Sequence, residues 1–580
     1  MSVEKLITEH MDVWAGAVTQ KAASGRSSGG NRELIGVKKL RELILDLATR
    51  GKLVPQDAND PTADELLQLL ADERLRLTKA GMMPKSKALP AIDQPGFDAP
   101  SGWKWARLGT ITQKIGSGAT PRGGKSAYVT DGIPFLRSQN IWNDGLRIDD
   151  VARISEETHK QMRNTHVQAN DILLNITGAS LGRCALVPPD FETANVSQHV
   201  TIIRVLEPFC RQFLHLLILA PYTQSLIWGR QVGMAREGFS KKVLELFEIP
   251  VPPLAEQHRI VQKVDELLAL CDRLEQQTGD QIEAHERLVD TLLESLTRAE
   301  NATELTENWA RVAQHFDTLF TTEHSIDHLK QTILQLAVMG RLTEGRFGAE
   351  PADSLLSRIS TLKSELIAAG AAKQARKSPN LNDGERYRIP DHWLWCRLSD
   401  VCSQITDGEH NTPERTPSKH ATPLVTAKNV RDGYLDLSNT DFVPNDVAKA
   451  CWNRCKPQVN DILMVSVGAT LGRLSVVLQP QDMVLVRSVT LIRPLIIDVR
   501  YLDLVLRAPL TQKWIWENVK QAAQPCLYLA KSSAIPVPLP PIEEQAAAVT
   551  AATNLLNLCG DIAERLRISQ RIKVQMAGSV

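Results

Sequence analysis

The sequence predicts a mixed α/β (α+β) chain with a tandem internal repeat, two globular domains joined by long α-helices. Three observations predict it. The chain repeats itself at a period near 289 residues, as from Ile44 to Ile333. Each copy holds short β-branched or alternating runs broken by Gly, Pro and Asn turns. Each copy also closes on an apolar stripe at helical spacing.

The repeat is ordered. Ile44-Leu45-Asp46-Leu47-Ala48 with Gly51-Lys52-Leu53 returns as Ile333-Leu334-Gln335-Leu336-Ala337 with Gly340-Arg341-Leu342. Trp103, Trp105, Arg107 and Leu108 return as Trp393, Trp395, Arg397 and Leu398. NDILLNITGASLGR (170–183) returns as NDILMVSVGATLGR (460–473), VTIIR (200–204) as VTLIR (489–493), and APYTQSLIW (220–228) as APLTQKWIW (508–516). IPVPPLAEQ (249–257) returns as IPVPLPPIEEQ (535–545). Such an order with so little drift is a tandem duplication.

The elements follow in chain order. Residues 1–34 form an N-terminal extension, rich in Ser and Gly at 23–31 and expected to be mobile. Residues 35–99 are a helical region and linker. Leu40, Ile44, Leu47 and Ala48 stripe a first helix that Gly51 ends, a second helix covers 63–80 after Asp60-Pro61-Thr62, and the proline-rich stretch 84–100 reads as linker. The first globular domain spans 100–253, with strands near 171–176 and 200–205 and one helix over 209–228. A central helical region with linker covers 254–385, the second globular domain 386–541, and a closing helix 542–580. After Pro253, Ile260, Val264, Leu267, Cys271, Leu274, Gln281, His285, Leu288 and Leu292 continue one seam. Such a rod needs the other copy's helix or a partner protein to cover it. Leu555, Cys559, Ile562 and Leu566 give the closing helix the same spacing.

Bulk properties narrow the class. Hydrophobic residues make up 43% and charged residues 23%, as in ordinary globular proteins. No apolar run approaches the roughly 20 residues of a membrane span. Nine cysteines lack framework spacing and the N-terminus lacks a secretory layout, so the chain is expected to be cytoplasmic, with reduced thiols and no membrane association. Cys451 and Cys455 alone are too few for a metal centre, and no metal is expected. Lys+Arg and Asp+Glu both number 67, yet residues 101–250 and 386–540 each carry a net +4, from 17 against 13 and 18 against 14. Two mildly basic blocks in an acidic frame are compatible with DNA and do not require it.

These repeated motifs resemble the specificity subunits of type I restriction–modification enzymes. The resemblance rests on IPVPPLAEQ and its copy opening helices, and on Asn-Asp-Ile-Leu followed by Gly-Ala-[Ser/Thr]-Leu-Gly-Arg, where the family more often has Gly in place of Asn170 and Asn460. It also rests on Gly118-Ala119-Thr120-Pro121 with Ile133–Arg137, and on Asp407–Pro413 with Pro423-Leu424-Val425 and Lys428-Asn429-Val430. The resemblance implies two target-recognition domains joined by an antiparallel coiled coil of conserved helices, giving pseudo-two-fold symmetry. It implies a bipartite double-stranded DNA target, one half-site per domain, and asymmetric because the copies have diverged. It implies partners: modification subunits (two) that carry S-adenosylmethionine and methylate adenine, and restriction subunits that use ATP and Mg and cut. This chain then binds no cofactor and catalyses nothing itself. Leu267, Leu274, Leu288 and Leu566 are the expected subunit-interface residues.

Base reading needs paired donors and acceptors, and phosphate contacts need Arg, Lys, hydroxyls or free N–H groups. Candidates in the first copy are Thr120, Arg122, Lys125, Ser126 and Tyr128 in a Gly/Pro-rich loop, Arg137, Ser138, Gln139 and Asn140 after a strand, Gln198 and His199 before another, and Arg236, Lys241 and Lys242. In the second copy they are His410, Asn411, Thr412, Arg415, Lys419, Lys428, Asn429, Arg487, Gln521, Gln524, Tyr528 and Lys531. Gly178, Gly182, Gly468 and Gly472 read as turns, with Arg183 and Arg473 as phosphate candidates, and the four repeated tryptophans read as core.

Two rival classes stay open. A catalytic chain needs an adenine-methyltransferase tetrapeptide, a cofactor loop or a Walker A sequence, and none is present. A coiled-coil scaffold with two adaptor domains and no nucleic-acid role is compatible with the neutral charge.

Overall fold

The computed structural model describes residues 10–20, 32–85, 87–207, 209–229, 241–343, 350–374, 378–520 and 524–579. Its contacts divide the chain into two units, one built on Arg32–Gly279 with Ile572–Val580, the other on Asp280–Arg571. The fold is mixed α/β. No helix among the described residues is long and apolar enough to cross a membrane.

In the first unit, helix α1 (Met11–Gly16) lays Trp14 into the core with 0% exposure. Of the expected N-terminal extension, residues 1–9 and 21–31 lie outside the described residues. Helix α2 (Ile35–Thr49) buries Leu40, Ile44 and Ala48 and ends at Gly51, whose φ of 67° any side chain would strain. Gly51 N–H donates to Ala48 O and Lys52 N–H to Leu47 O, which satisfies the helix's last carbonyls. Helix α3 (Ala63–Lys79) starts on a capping box between Thr62 and Glu65.

The globular part follows. Strand β1 (Lys104–Arg107) leads to β2 (Thr112–Ser117), β3 (Tyr128–Val129), β4 (Ile133–Leu136), the hairpin β5 (Ile141–Trp142) and β6 (Gly145–Leu146), and β7 (Ala152–Ile154). Then come β8 (His166–Val167), β9 (Ile172–Asn175), β10 (Cys184–Leu186), β11 (Ala194–Val196) and β12 (Val200–Val205). An antiparallel sheet runs β10-β9-β12-β2, and a second sheet runs β8-β11-β4-β7-β3 with β11 and β4 parallel. Helices α4 (Arg211–Leu219) and α5 (Pro221–Gly229) replace the single helix expected there. Ala220 precedes a proline and is held extended at ψ 148°, which breaks the helix. Strand β13 (Glu248–Val251) pairs with β1, Trp105 opposite Pro250, so the two ends of the globular part meet. Helix α6 (Leu254–Arg298) begins immediately after.

The second unit repeats this plan. Helix α7 (Glu323–Val338) ends at Gly340 (φ 69°) with the same two capping bonds, from Gly340 to Ala337 and from Arg341 to Leu336. Helix α8 (Ala352–Ala368) follows, then β14 (Leu394–Arg397), β15 (Cys402–Asp407), β16 (Thr422–Val425), β17 (Asp441–Val443), β18 (Ile462–Val465), β19 (Leu474–Val476), β20 (Val484–Leu485) and β21 (Val489–Pro494). The sheets run β15-β21-β18-β19, antiparallel, and β17-β16-β20, with β16 and β20 parallel. Helices α9 (Val499–Arg507) and α10 (Pro509–Glu517) break at Ala508-Pro509, and β22 (Pro536–Leu539) pairs with β14, Trp395 opposite Pro538. Helix α11 (Ile542–Ser579) closes the chain. Both α6 and α11 have the length a coiled coil requires.

Repeated motifs turn out to be braces. Asp171, 1% exposed, takes a two-pronged ion pair from Arg204 at 2.6 and 2.7 Å and accepts from Gln168 N. Asp461 does the same with Arg493 at 2.8 and 2.6 Å and with Gln458 N. Asn170 and Asn460, which start these segments, sit at φ 69° and 70°. Glycine adopts that conformation freely and asparagine tolerates it, so the exchange noted above is conservative. Gln257 accepts from Cys210 N and donates to Pro252 O, while Gln545 accepts from Asp498 N and donates to Pro540 O, both glutamines being fully buried. Arg107 donates to Pro90 O and Ala91 O, and Arg397 to Pro379 O and Asn380 O, so both linkers are strapped to their sheets.

The buried face of α6 corrects the expected seam. It passes through Ile260, Val264, Leu267, Cys271 and Thr278, then Val289, Leu293 and Leu296, while Leu288 is 52% exposed. Buried positions keep 4-3 spacing from Ile260 to Thr278 and again from Val289 to Leu296, and the register steps by one residue between the two stretches.

His215 on α4 donates through Nε2 to Cys184 O at 3.1 Å, and loss of solvent around its ring holds its pKa below the usual histidine value against the pull of Asp265. The unfolded chain therefore takes up this proton first, and stability falls as pH drops below about 6.5. Hydrogen exchange at the amides of β9 and β12, next to β10, should speed up between pH 8 and pH 5 beyond the intrinsic pH dependence, relative to β18 and β21, and His215→Gln should flatten that trend. An unchanged slope in that variant would remove His215 as the cause.

Candidate nucleic-acid interface

Four loops of the first unit meet at one end of its two sheets. Gly118 N–H donates to Val200 O and Ala119 N–H to Val196 O, tying the loop after β2 to the turn between β11 and β12. Ser197 N–H donates to Leu136 O, Ile176 N–H to His199 O, and Asn175 Nδ2 to Ser138 O, which brings in the loops after β4 and β9. Gly118 is required by close approach, since a Cβ there meets Val196 O at 2.0 Å. The second unit makes equivalent ties: Gly408 N–H to Val489 O, Glu409 N–H to Leu485 O, Val486 N–H to Val425 O and Ser466 N–H to Ser488 O. A Cβ on Gly408 meets the Leu485 carbonyl carbon at 2.2 Å. Here a fifth segment joins, because Gly468 N–H donates to Pro525 O and Leu527 N–H to Ser466 O.

Many candidates sit on these loops. Thr120 Oγ1 donates to Gln198 Oε1 at 3.1 Å, and His199 Nδ1 lies 2.7 Å from Thr177 Oγ1, so three predicted residues form one exposed row. Arg122, Lys125, Ser126 and Gln139 are exposed, and Ser138 is half-buried. Arg137 lies 5.9 Å from the Tyr128 ring, itself packed on Phe135. Lys241 and Lys242 stand exposed on the short helix Lys241–Glu245, where Lys241 pairs with Glu245 at 3.5 Å. Arg236 lies outside the described residues.

In the second unit His410 Nε2 lies 2.8 Å from Asp407 Oδ2 and 2.9 Å from Arg454 Nη2, and Arg454 also pairs with Asp407. Arg415 and Lys428 share Asp441, each at 3.4 Å. Asn411, Thr412, Lys419, Arg487, Gln524 and Tyr528 are exposed, Lys531 donates to Asn518 Oδ1 at 2.8 Å, and Gln521 lies outside the described residues. Arg183 and Arg473 are half-buried just after their glycine turns.

Asn140 and Asn429 are corrected. They are 3% and 1% exposed and hold their own loops. Asn140 Oδ1 accepts from Arg137 N and its Nδ2 donates to Arg147 O; Asn429 accepts from Thr426 N and donates to Asp436 O. With both ends of the amide used internally, neither reaches a base edge. Leu267 is corrected likewise: at 0% exposure it belongs to the first unit's core, because the α6 face turns it inward. Leu274 and Leu566 are half-buried against their own cores, which leaves Leu288 as the exposed one of the four.

Residues that the sequence reading passed over also stand here: Thr177, Trp142, Arg454, Asp441 and Tyr434. The Asp144-Gly145 turn after Trp142 was a legible hairpin signal. The charge partners Asp407 and Asp441 had none, since pairing across strands is a tertiary fact.

The two clusters share a frame and differ in exposed chemistry. No group of three or more His, Cys, Asp or Glu side chains placed to hold a metal occurs among the described residues. Burial pushes Cys455 up to about 11, and Cys451, also buried, is raised too, so both thiols are protonated at neutral pH.

A family model described as the type I restriction modification DNA specificity domain matches residues 100–284. The chain is 32% identical to the Escherichia coli type I restriction enzyme EcoEI specificity subunit, over 100% of this chain and 99% of that one. It is 36% identical to the E. coli EcoAI specificity subunit, over 77% of this chain and 76% of the relative. A solved chain from a study of type I restriction–modification assembly covers 83% of this chain at 16% identity and a TM-score of 0.46.

Proposed function

We propose, from the premise that this chain belongs to the specificity subunits of type I restriction–modification systems, that each loop cluster reads one half of a split DNA target. The chain recognises the DNA target and is not itself catalytic; the chemistry belongs to the other subunits of the complex.

One observation carries the division into half-sites: the same braces recur under different exposed side chains. Gly118 and Gly408, Asn140 and Asn429, and Asp171 and Asp461 hold equivalent loops. Above them stand Thr120, Gln198 and His199 in one unit, and His410, Arg415, Lys428 and Arg487 in the other. Base edges are distinguished by donor and acceptor patterns, so unlike side chains on like frames read unlike sequences. Arg122, Lys125, Lys419, Arg183 and Arg473 supply phosphate contacts that fix register. The partners under this reading are modification subunits, two per chain, that use S-adenosylmethionine to methylate adenine, and restriction subunits that use ATP and Mg. Leu288 on α6 is an exposed apolar residue offered to them.

The test is co-expression of this chain with its modification subunit in a methylation-free host, followed by genome-wide mapping of methylated adenine. A split, asymmetric motif that depends on this chain is expected. Gln198→Ala with His199→Ala should relax one half only. A confirmed complex that gives no motif would overturn the reading in favour of a scaffold.

A further inference from the structure

Arg183 and Arg473 occupy the same place, directly after Gly182 and Gly472, yet their surroundings differ. The Arg183 guanidinium carbon lies 3.9 Å from the centre of the Trp142 ring, well inside the roughly 6 Å over which a cation and a ring attract. Trp142 is 39% exposed and is pinned by its Nε1, which donates to Gln139 O at 2.9 Å. Among the described residues no carboxylate lies within ion-pair distance of Arg183. Arg147, 5.9 Å from the same ring, is already paired with Asp144 at 2.5 Å.

Among the described residues of the second unit no aromatic ring lies beneath Arg473. That unit's matching hairpin pairs Val430 with Leu435 as the first pairs Ile141 with Leu146, so Arg431 stands where Trp142 does. Arg431 lies 3.7 Å from Asp436, and Arg473 lies 3.9 Å from Asp432. The first unit thus keeps an unspent cation on an aromatic plate, and the second has carboxylates near both of its cations.

A guanidinium laid on an indole keeps its N–H edge free and already ordered, so less side-chain entropy is lost when that edge binds. Its fork matches a phosphate. Both copies carry this arginine although their exposed loops have diverged, the pattern expected of a group that holds backbone and not of one that reads sequence. We propose that Trp142 and Arg183 are a preassembled phosphate contact at the first half-site, with Arg183 making the contact and Trp142 positioning it.

The proposal rests on the half-site reading above, and its test separates the two. The full chain in complex with its modification subunit is titrated against a duplex carrying the mapped target over a range of KCl concentrations. Arg183→Ala should weaken binding several-fold on matched and mismatched duplexes alike, reduce the slope of log affinity against log salt by about one, and leave the methylation motif unchanged. Arg183→Lys should keep the slope and lose affinity. Trp142→Leu should weaken binding beside Arg183 but cost nothing further in the Arg183→Ala background. A motif altered at one position, an unchanged slope, or equal cost of Trp142→Leu in both backgrounds overturns the proposal. If the unaltered complex itself shows no preference for its target, the half-site reading falls instead.

Discussion

Replacing Asp171 with alanine should destabilise the first unit by about 3–5 kcal/mol, the cost of stranding a buried charge. Arg204 of β12 loses both prongs of its ion pair, and Gln168 N–H, in the turn that leads into β9, loses its acceptor. Because the chain holds two units, a single unfolding midpoint need not report this. Hydrogen exchange at the amides of β9 and β12 will, with those of β18 and β21 as the internal reference. The double change Asp171→Leu, Arg204→Met should recover most of the loss, since an apolar pair of similar volume is often as stable as a buried ion pair. A loss under about 1 kcal/mol in Asp171→Ala would mean that water reaches the pair.

Gln545→Leu should act as strongly on the second unit. It leaves Asp498 N–H and Pro540 O without partners at 0% exposure of the glutamine, at about 1–3 kcal/mol for each buried group. Since Asp498 caps α9 and Gln545 lies in the first turn of α11, the change also unfastens one helix from the other. Gln545→Glu gives a pH signature. The carboxylate keeps the acceptor for Asp498 N–H but faces the Pro540 carbonyl with no proton and is buried. Burial raises its pKa, so the variant should be least stable above that raised value and recover as pH falls and the acid form donates to Pro540 O. A variant indifferent to pH would show that the side chain has swung out to solvent.

The parts of this fold that the sequence displays are those fixed by local chemistry. Gly51 and Gly340 end their helices as their spacing predicts, Thr62 caps α3, and the strands at 172–175 and 200–205 fall where β-branched runs stand. What it hides is set by neighbours distant in the chain. Asn140 and Asn429 read as exposed polar loop residues, and only the return of the hairpin strand places Arg147 O and Asp436 O beside their amides. Leu288 reads as seam, yet the one-residue step in register carries the buried face to Val289. The helix break at Pro221 was legible and passed over. Among the candidate site residues, the row Thr120, Gln198 and His199 comes together from loops about 80 residues apart by the register of β12 on β2.

The recurrence of buried braces beneath unlike loops has a consequence for descent. Stability here resides in Asp171, Gln257, Asn140 and their counterparts, none of which faces outward. Side chains at the tips of the loops are therefore nearly free of the fold's demands. Under the half-site reading proposed above, substitutions at Gln198, His199 or Arg487 should alter what is recognised while leaving the protein as stable as before, so a lineage would cross between specificities without passing through unfolded intermediates. On that reading, two frames joined in one chain widen that freedom, for either would drift while the other still reads.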